Sequence, residues 1–398
     1  MSDHDSTNPH HEPKEPTTDG AGFAADLLRL GLSGRGDGQA DSIIGQTFAD
    51  RYRIVSRLGE GGFGDVYKAE QFDPVKRDVA IKILKGQVRG VEVAARFEGE
   101  RQALAVMAHP NIAKVFDAGL SEHGQSYFVM EYVSGIPITE YCREHQVDLR
   151  GRLAMFQKVC DAVQHAHQRG VIHRDLKPSN ILVEEIDGVG VPKVIDFGIA
   201  KATTPESGED LVVTKTESFM GTPAYMSPEQ AELGAGAVDT RSDVYSLGVI
   251  LNELLTGTLP LDLTGKSNHQ IRQAIIDSDP VTPSRAIRRA QHKSRDFAAS
   301  IGGLTIERLG RLLSGDLDAI ILHALEKDRD YRYPTPPRLR RRHRPVCRRS
   351  PRRSPNRPLE LSNPQTGQAT KTTSPGRGCG GGLAVGRGCH IILSFTRS

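Results

Sequence analysis

Between residues 52 and 58 apolar and polar positions alternate, as Tyr52-Arg-Ile-Val-Ser-Arg-Leu58, and that period of two predicts a strand. Residues 65–69 and 78–84 carry the same pattern and predict two further strands. A helix is expected over 92–107, then strands over 115–118 and 127–132. These elements make a small lobe of five strands and one helix. After Ser134-Gly135 the period changes. Leu149, Leu153, Phe156, Val159, Cys160 and Val163 recur at helical spacing, and the run ends at Gly170. Apolar helical stretches at 247–255 and 317–325 extend a larger, mostly helical lobe. Residues 1–51 are polar and rich in His, Pro and Gly, and predict a flexible leader in which only 23–32 could form a short helix.

Composition narrows the class. The chain has 398 residues, of which 37% are apolar before its 41 glycines are counted, so a sizeable core can be built. No run of 18 apolar residues is present, and the first 20 residues carry no apolar signal segment. The five cysteines are scattered with no CxxC pair, which argues against a disulfide scaffold or zinc ribbon and fits a reducing cytoplasm. The net charge of +3 is unevenly shared. Residues 335–398 hold 13 Arg and one Lys against one Glu, a net of +13, which leaves −10 on residues 1–334. Such a tail could bind nucleic acid or acidic lipid, although a solvated disordered end is the plainer reading.

Candidate chemistry begins at Leu58-Gly59-Glu60-Gly61-Gly62-Phe63-Gly64-Asp65-Val66, where Gly59, Gly61 and Gly64 make a GxGxxG. Glycines let backbone N–H groups approach phosphate with no Cβ in the way, but alone the motif fits a plain turn equally well. A dinucleotide fold requires a helix directly afterwards. Here Val66-Tyr-Lys-Ala69 continues as a strand, so the loop predicts a hairpin lid over a nucleotide. Lys82, in Val79-Ala-Ile-Lys82, lies inside an apolar strand 18 residues beyond the last loop glycine. It is either an edge lysine facing water or a cation under the lid. Glu100 is its preferred ionic partner and Glu98 the competitor; either could also sit on a solvated helix face.

The most informative stretch is Val171-Ile-His-Arg-Asp-Leu-Lys-Pro-Ser-Asn-Ile-Leu-Val183, which gathers His173, Arg174, Asp175, Lys177 and Asn180 within eight residues. Lys193-Val-Ile-Asp-Phe-Gly198 then puts a second acid, Asp196, in a tight Phe-Gly turn. With the glycine loop, Val-Ala-Ile-Lys and Ser227-Pro-Glu229 in the same order, the chain resembles the eukaryotic-like serine/threonine protein kinases of bacteria from about 52 to 333.

That resemblance implies an α+β, two-lobed kinase fold, with a small lobe over 52–133 and a large lobe over 134–334. It implies transfer of the γ-phosphoryl of ATP, with Mg²⁺, to Ser/Thr hydroxyls of protein substrates. Asp175 would take or orient the hydroxyl proton, and Lys177 would stabilise charge on the moving phosphoryl. Asn180 and Asp196 would hold Mg²⁺. Lys82, fixed by Glu100, would grip the α and β phosphates. Val66, Ala80 and Leu182 would wall the adenine, Met130 would stand behind it, and Glu131 and Val133 would offer it backbone groups. Thr222 would line the acceptor site, Glu229 would pair with Arg332, and Asp243 would hold the catalytic loop. The hydroxyl-rich stretch between Asp196 and Glu229 would be an activation loop, with Thr216 the main phosphorylation site and Thr214 the second, paired through Arg174. A homodimer would serve autophosphorylation.

The pattern breaks after residue 333. A closing helix is due, but Pro336, Pro337 and Pro345 oppose a regular helix and the Arg cluster offers no apolar face. No membrane span or sensor region is visible. Two accounts compete for 335–398: a genuine basic disordered arm, or translation out of frame, which is favoured because a shifted GC-rich frame gives such a composition.

Overall fold

The computed structural model describes residues 43–61, 64–87, 99, 102–104, 106–121, 124–197, 223–232, 238–289 and 291–342. The small lobe is an antiparallel six-stranded sheet of order β1-β2-β3-β4-β6-β5. Its strands are β1 (Thr47–Phe48), β2 (Tyr52–Gly61), β3 (Gly64–Gln71), β4 (Arg77–Gln87), β5 (Val115–Leu120) and β6 (Gln125–Glu131). All five expected strands form. The helix expected over 92–107 falls mostly outside the described residues; 102–104 are helical and Met107 lies beyond the helix.

The pleat of β4 sorts its side chains by parity. Val79 and Ile81 face one way into a small core with Tyr52, Ile54, Tyr67, Ala69, Tyr127 and Val129. Ala80 and Leu84 face the other way, into the main core shared with the large lobe. Lys82 has the parity of Ala80 and Leu84, which aims its long side chain at the junction of the lobes rather than at an open sheet edge. The strand before it needs a glycine: a Cβ on Gly64 would lie 2.2 Å from the Ile83 carbonyl oxygen.

Two elements differ from expectation. Residues 43–51 are not all leader, because β1 pairs with β2 and Ile43, Phe48 and Ala49 cover the small core. A two-residue strand is too short to show a period. A helix also forms over Pro336–Arg342, where the prolines were expected to prevent one. Both Pro336 and Pro337 occupy its first turn, where the backbone N–H is not needed and the fixed φ suits the helix. Leu339 supplies the apolar contact and is fully buried.

The large lobe comprises ten helices among the described residues. In chain order these are α1 (Ile138–Glu144), α2 (Leu149–His167), α3 (Pro228–Ala231), α4 (Thr240–Thr256), α5 (Asn268–Asp277), α6 (Pro283–Arg289), α7 (Gln291–Ser300), α8 (Ile306–Leu313), α9 (Asp316–Ala324) and α10 (Pro336–Arg342). Asp148 caps α2 by accepting from the Gly151 N–H at 2.7 Å. The expected periodic residues, Leu153, Phe156, Val159, Cys160 and Val163, are all buried on its inner face. Helix α4 is buried nearly throughout and ends at Gly257 with φ 69°, a left-handed C-cap that favours glycine. A second, three-stranded sheet of β7 (Ile136–Pro137), β8 (Ile181–Ile186) and β9 (Val189–Val194) lies in this lobe. Asn180 directly precedes β8, and Asp196 follows β9 by two residues.

Candidate active site

The segment 171–180 is anchored from below by Asp243 on α4. Its carboxylate accepts from the backbone N–H groups of His173 and Arg174, both at 2.9 Å, and lies 2.6 Å from His167 Nε2. Burial of Asp243 is complete and would raise its pKa. The contact with His167, the nearby His173 and the N–H donors outweigh burial and hold the carboxyl below its usual range. The expectation that Asp243 holds this loop through backbone hydrogen bonds is met. Arg174 takes φ 67°, a left-handed conformation uncommon for a large side chain. Such a departure persists only where surrounding bonds enforce it, and the Asp243 bonds do so.

Held in this way, the loop gathers the expected polar groups. Asn180 Nδ2 donates to the Asp175 carbonyl at 2.7 Å and to Asp175 Oδ2 at 3.2 Å. Lys177 Nζ stands 2.8 Å from the same Oδ2. The Ile195 N–H donates to the Asn180 carbonyl at 2.9 Å, which brings the residue before Asp196 onto this loop. His173 Nε2 bonds the Ile195 carbonyl at 2.9 Å, and its ring lies 4.7 Å from that of Phe197. Asp196 takes φ 62° in the turn after β9.

From the small lobe, Lys82 reaches Asp196, with Nζ 3.0 Å from Oδ2. Lys82 is only 8% exposed, so it is not an edge-strand lysine in water. Its expected partner, Glu100, lies outside the described residues. So do Gly62, Phe63, Thr214, Thr216 and Thr222.

Of the expected adenine walls, Val66 packs against the core cluster that holds Ala80 and Met130. Ala80 pairs in register with Met130, and both are buried. Val66 and Leu182 are half-buried, and Val133 is buried. A small cavity behind Met130 is lined by Leu104, Met107, Ala113, Val115, Asp196 and Phe197. The Glu131 N–H donates to the Lys114 carbonyl at 2.8 Å, so that group is not available to a base. Leu58, Glu60 and Asp65 belong to the hairpin, where Arg57 bonds Glu60 at 2.8 Å and Asp65 at 2.7 Å.

One contact at the lobe connection was not foreseen. The Glu131 carboxylate accepts from Lys193 Nζ and, at 3.2 Å, from the Lys114 N–H. Lys193 also lies 4.0 Å from Glu184 and sits opposite Leu182 in the β8–β9 ladder. Its position directly before Val-Ile-Asp was legible, but its partner lies 62 residues away and gives no local signal.

Asn180 and Asp196 suit a hard cation. The Asn180 amide nitrogen is committed to Asp175, which leaves the amide oxygen for another partner, and Asp196 adds a carboxylate. Among the described residues no cluster of three or more His, Cys, Asp or Glu could hold a metal unaided. Mg²⁺ tolerates such a sparse protein shell because substrate phosphates and water complete its octahedron.

The lower lobe is braced as expected. Arg332 Nη1 and Nη2 each lie 2.7 Å from a Glu229 carboxylate oxygen. Burial pushes the Glu229 pKa up, but the Arg332 bonds, its charge and the Ser242 hydroxyl pull it below the usual range. Tyr225 donates to Glu253 at 2.6 Å, and burial raises the pKa of that second carboxyl.

Residues 52–338 match the family described as protein kinase domain. Over 297 residues the chain is 37% identical to the serine/threonine-protein kinase PknB of Mycobacterium tuberculosis, which covers 73% of this chain and 42% of that protein. Over 251 residues it is 38% identical to the serine/threonine-protein kinase pkn3 of Myxococcus xanthus, covering 62% and 44%. The chain thus matches less than half the length of these curated relatives. The crystal structure of the Mycobacterium tuberculosis PknI kinase domain is similar at a TM-score of 0.52 and 26% identity, covering 76% of this chain and 98% of that one.

Proposed function

The chain belongs to the protein kinase domain family, and on that premise we propose that it is an ATP-dependent serine/threonine kinase acting on proteins. One observation carries the reading: Asp175, Lys177 and Asn180 form one bonded cluster, tied through Ile195 to the turn that holds Asp196.

The roles follow from the chemistry of each group. An Asp175 oxygen accepts the proton of an incoming Ser or Thr hydroxyl, and its bonds to Asn180 and Lys177 fix the direction it faces. Lys177 Nζ stabilises negative charge on the transferring phosphoryl. Lys82 orients the α and β phosphates from above, with Glu100 as the partner that frees it from Asp196. Asn180 and Asp196 would hold Mg²⁺, which when bound would neutralise phosphate charge. The glycine loop, residues 58–66, covers the phosphates. Val66, Ala80 and Leu182 enclose the base, and the Glu131 carbonyl and backbone groups of Val133 recognise its edge. Little covalent chemistry is asked of the protein, so orientation and charge supply most of the rate.

Substrate selection and control follow the same reading. Thr222 positions the acceptor, while phosphorylation of Thr216, and secondarily Thr214, gives Arg174 an anion to bind. Autophosphorylation of Thr216 and Thr214 would take place in a homodimer. The catalytic domain extends from the packed residues near Ile43 through α10, and its place is the cytoplasm. No helix among the described residues is long and apolar enough to cross a membrane.

Radiolabelled γ-phosphoryl transfer to a protein acceptor tests this. The wild-type chain should label serine and threonine, and Asp175→Ala should lower the rate by about 10²–10⁴. Equal labelling by both chains rejects the reading.

A further inference from the structure

We propose that the outer face of α6, α7 and α8 is a docking site for an acidic segment of a protein substrate, an inference that rests on the kinase reading above. Arg285, Arg288 and Arg289 of α6, Arg295 of α7, and Arg308 and Arg311 of α8 are all exposed. On α6 and on α8 their spacing puts them opposite the buried residues. Pro283, Ser284 and Ile287 turn inward on α6, as do Leu309, Gly310 and Leu313 on α8, which leaves the arginines outward. The helices touch through this basic rim: a Cβ at Gly310 would sit 3.2 Å from Arg288 Nε, so the Arg288 side chain lies across α8 beside Arg311.

The charge is local and, among the described residues, largely unpaired. Residues 285–311 hold six Arg and one Lys against Asp296 and Glu307, a net of +5 within a body, residues 1–334, whose net is −10. Among the described residues, none of these six arginines has a carboxylate within 4.0 Å, whereas Arg241, Arg329 and Arg332 of the same lobe do. Glu307 offsets only part of the field. Its own hydrogen bonds at the start of α8 come first in holding its carboxyl below the usual range, and Arg295 and Arg311 act on it after those. Asp318 of α9 is spent on Ser284, whose N–H and hydroxyl bond it at 2.9 and 2.6 Å.

Like charges gathered without internal partners are self-repelling, and an external anion relieves that cost. Arginine forks match carboxylates bidentately. Leu312, 40% exposed between Arg308 and the end of α8, adds an apolar foothold. Asp296 and Glu307 interrupt the positive field, which suits a peptide with spaced carboxylates better than the continuous phosphate of a nucleic acid.

The test compares two fluorescent peptides with one acceptor sequence, one extended by glutamates and one by Gly-Ser. Binding is measured by anisotropy to the full chain carrying Asp175→Ala, so the readout does not depend on catalysis. Replacing Arg285, Arg289, Arg308 and Arg311 together by Gln should raise the Kd of the acidic peptide about tenfold and leave that of the neutral peptide unchanged. Replacing the same four by Lys should restore most of the binding. In the active chain the Gln variant should raise KM for the acidic peptide without changing kcat. The basic tail is identical in every arm, so the difference belongs to the helices. An unchanged Kd for the acidic peptide overturns the inference, as does tighter binding of a single-stranded oligonucleotide through the same four arginines. Failure of the wild-type chain to phosphorylate the neutral peptide would instead count against the kinase reading alone.

Discussion

Asp196 Oδ2 lies 3.0 Å from Lys82 Nζ, which joins the central strand of the small sheet to the turn that follows β9. The lysine and the carboxylate therefore occupy one buried spot, where a cation and an oxygen ligand can serve the same triphosphate. Replacing Lys82 by Met keeps the length of the side chain and removes the charge. The expected result is a loss of about 10²–10³ in kcat/KM, the size seen when one preorganised electrostatic contact is removed. Steady-state kinetics with varied ATP would measure it. A variant as fast as the wild type would mean that Lys82 does not touch the phosphates.

Glu131 and Lys193 make a second link, at the connection between the lobes. Lys193 is 13% exposed at its side chain and Glu131 25%, so the pair is partly shielded from water. Its effect is to hold the backbone after Met130 against β9, beside Leu182. Lys193→Met should loosen that backbone and raise KM for ATP about threefold to tenfold, with kcat little changed, because binding of the base is lost equally in ground and transition states. A fall in kcat at constant KM would show that the pair acts on the phosphoryl step instead.

The carboxylates set the pH limits of stability. Asp243 and Glu229 both have pKa values held below the ordinary range in the folded chain. The unfolded chain therefore binds more protons at acid pH, and the sign is fixed: their contribution is present above about pH 4–5 and is lost as pH falls through their lowered native values. Glu253 works in the opposite sense. Burial raises its pKa, partly opposed by the Tyr225 hydrogen bond, so its contribution is present at low pH and is lost as pH rises through the raised value. Urea unfolding across the acid range should show stability falling steeply below about pH 4–5. Glu229→Gln should be less stable at neutral pH, with a flatter acid limb. An acid limb of unchanged slope would remove Glu229 from this account.

Much of the site was legible because its groups are close in sequence. Asp175, Lys177 and Asn180 lie on one short loop, so their closeness is readable in the sequence, although Asp243 of α4 holds that loop in shape. The glycine hairpin was legible because Val66-Tyr-Lys-Ala69 continues the period of two, and β3 indeed follows directly. The partner of Lys82 was harder. An ionic pair across 114 residues leaves no trace in local pattern, and the contact formed is with Asp196. Lys193 and Glu131 escaped notice for the same reason. The three-stranded sheet leaves little local pattern because β7 is only two residues long and 43 residues separate it from β8, the helices α1 and α2 and the segment 171–180 among them. The helix α10 runs against the helix-breaking character of proline because Pro336 and Pro337 both fall in its first turn.

The end of the domain gives the last test. Leu339 is the fully buried apolar residue of α10, and it joins the same core as Phe156 and Val163 of α2. A helix of seven residues, rich in Arg, has little stability of its own, so this one side chain must account for much of its docking. Leu339→Ala removes that contact and leaves a space the surrounding helices fill only in part. The expected cost is about 2–5 kcal/mol, read from urea unfolding of the full chain. Ending the chain after Pro334 should cost at least as much, because it exposes the apolar surface of α2 beneath the helix. Unfolding curves that superimpose for all three chains would show that the core closes without α10, and that the domain is complete at residue 334.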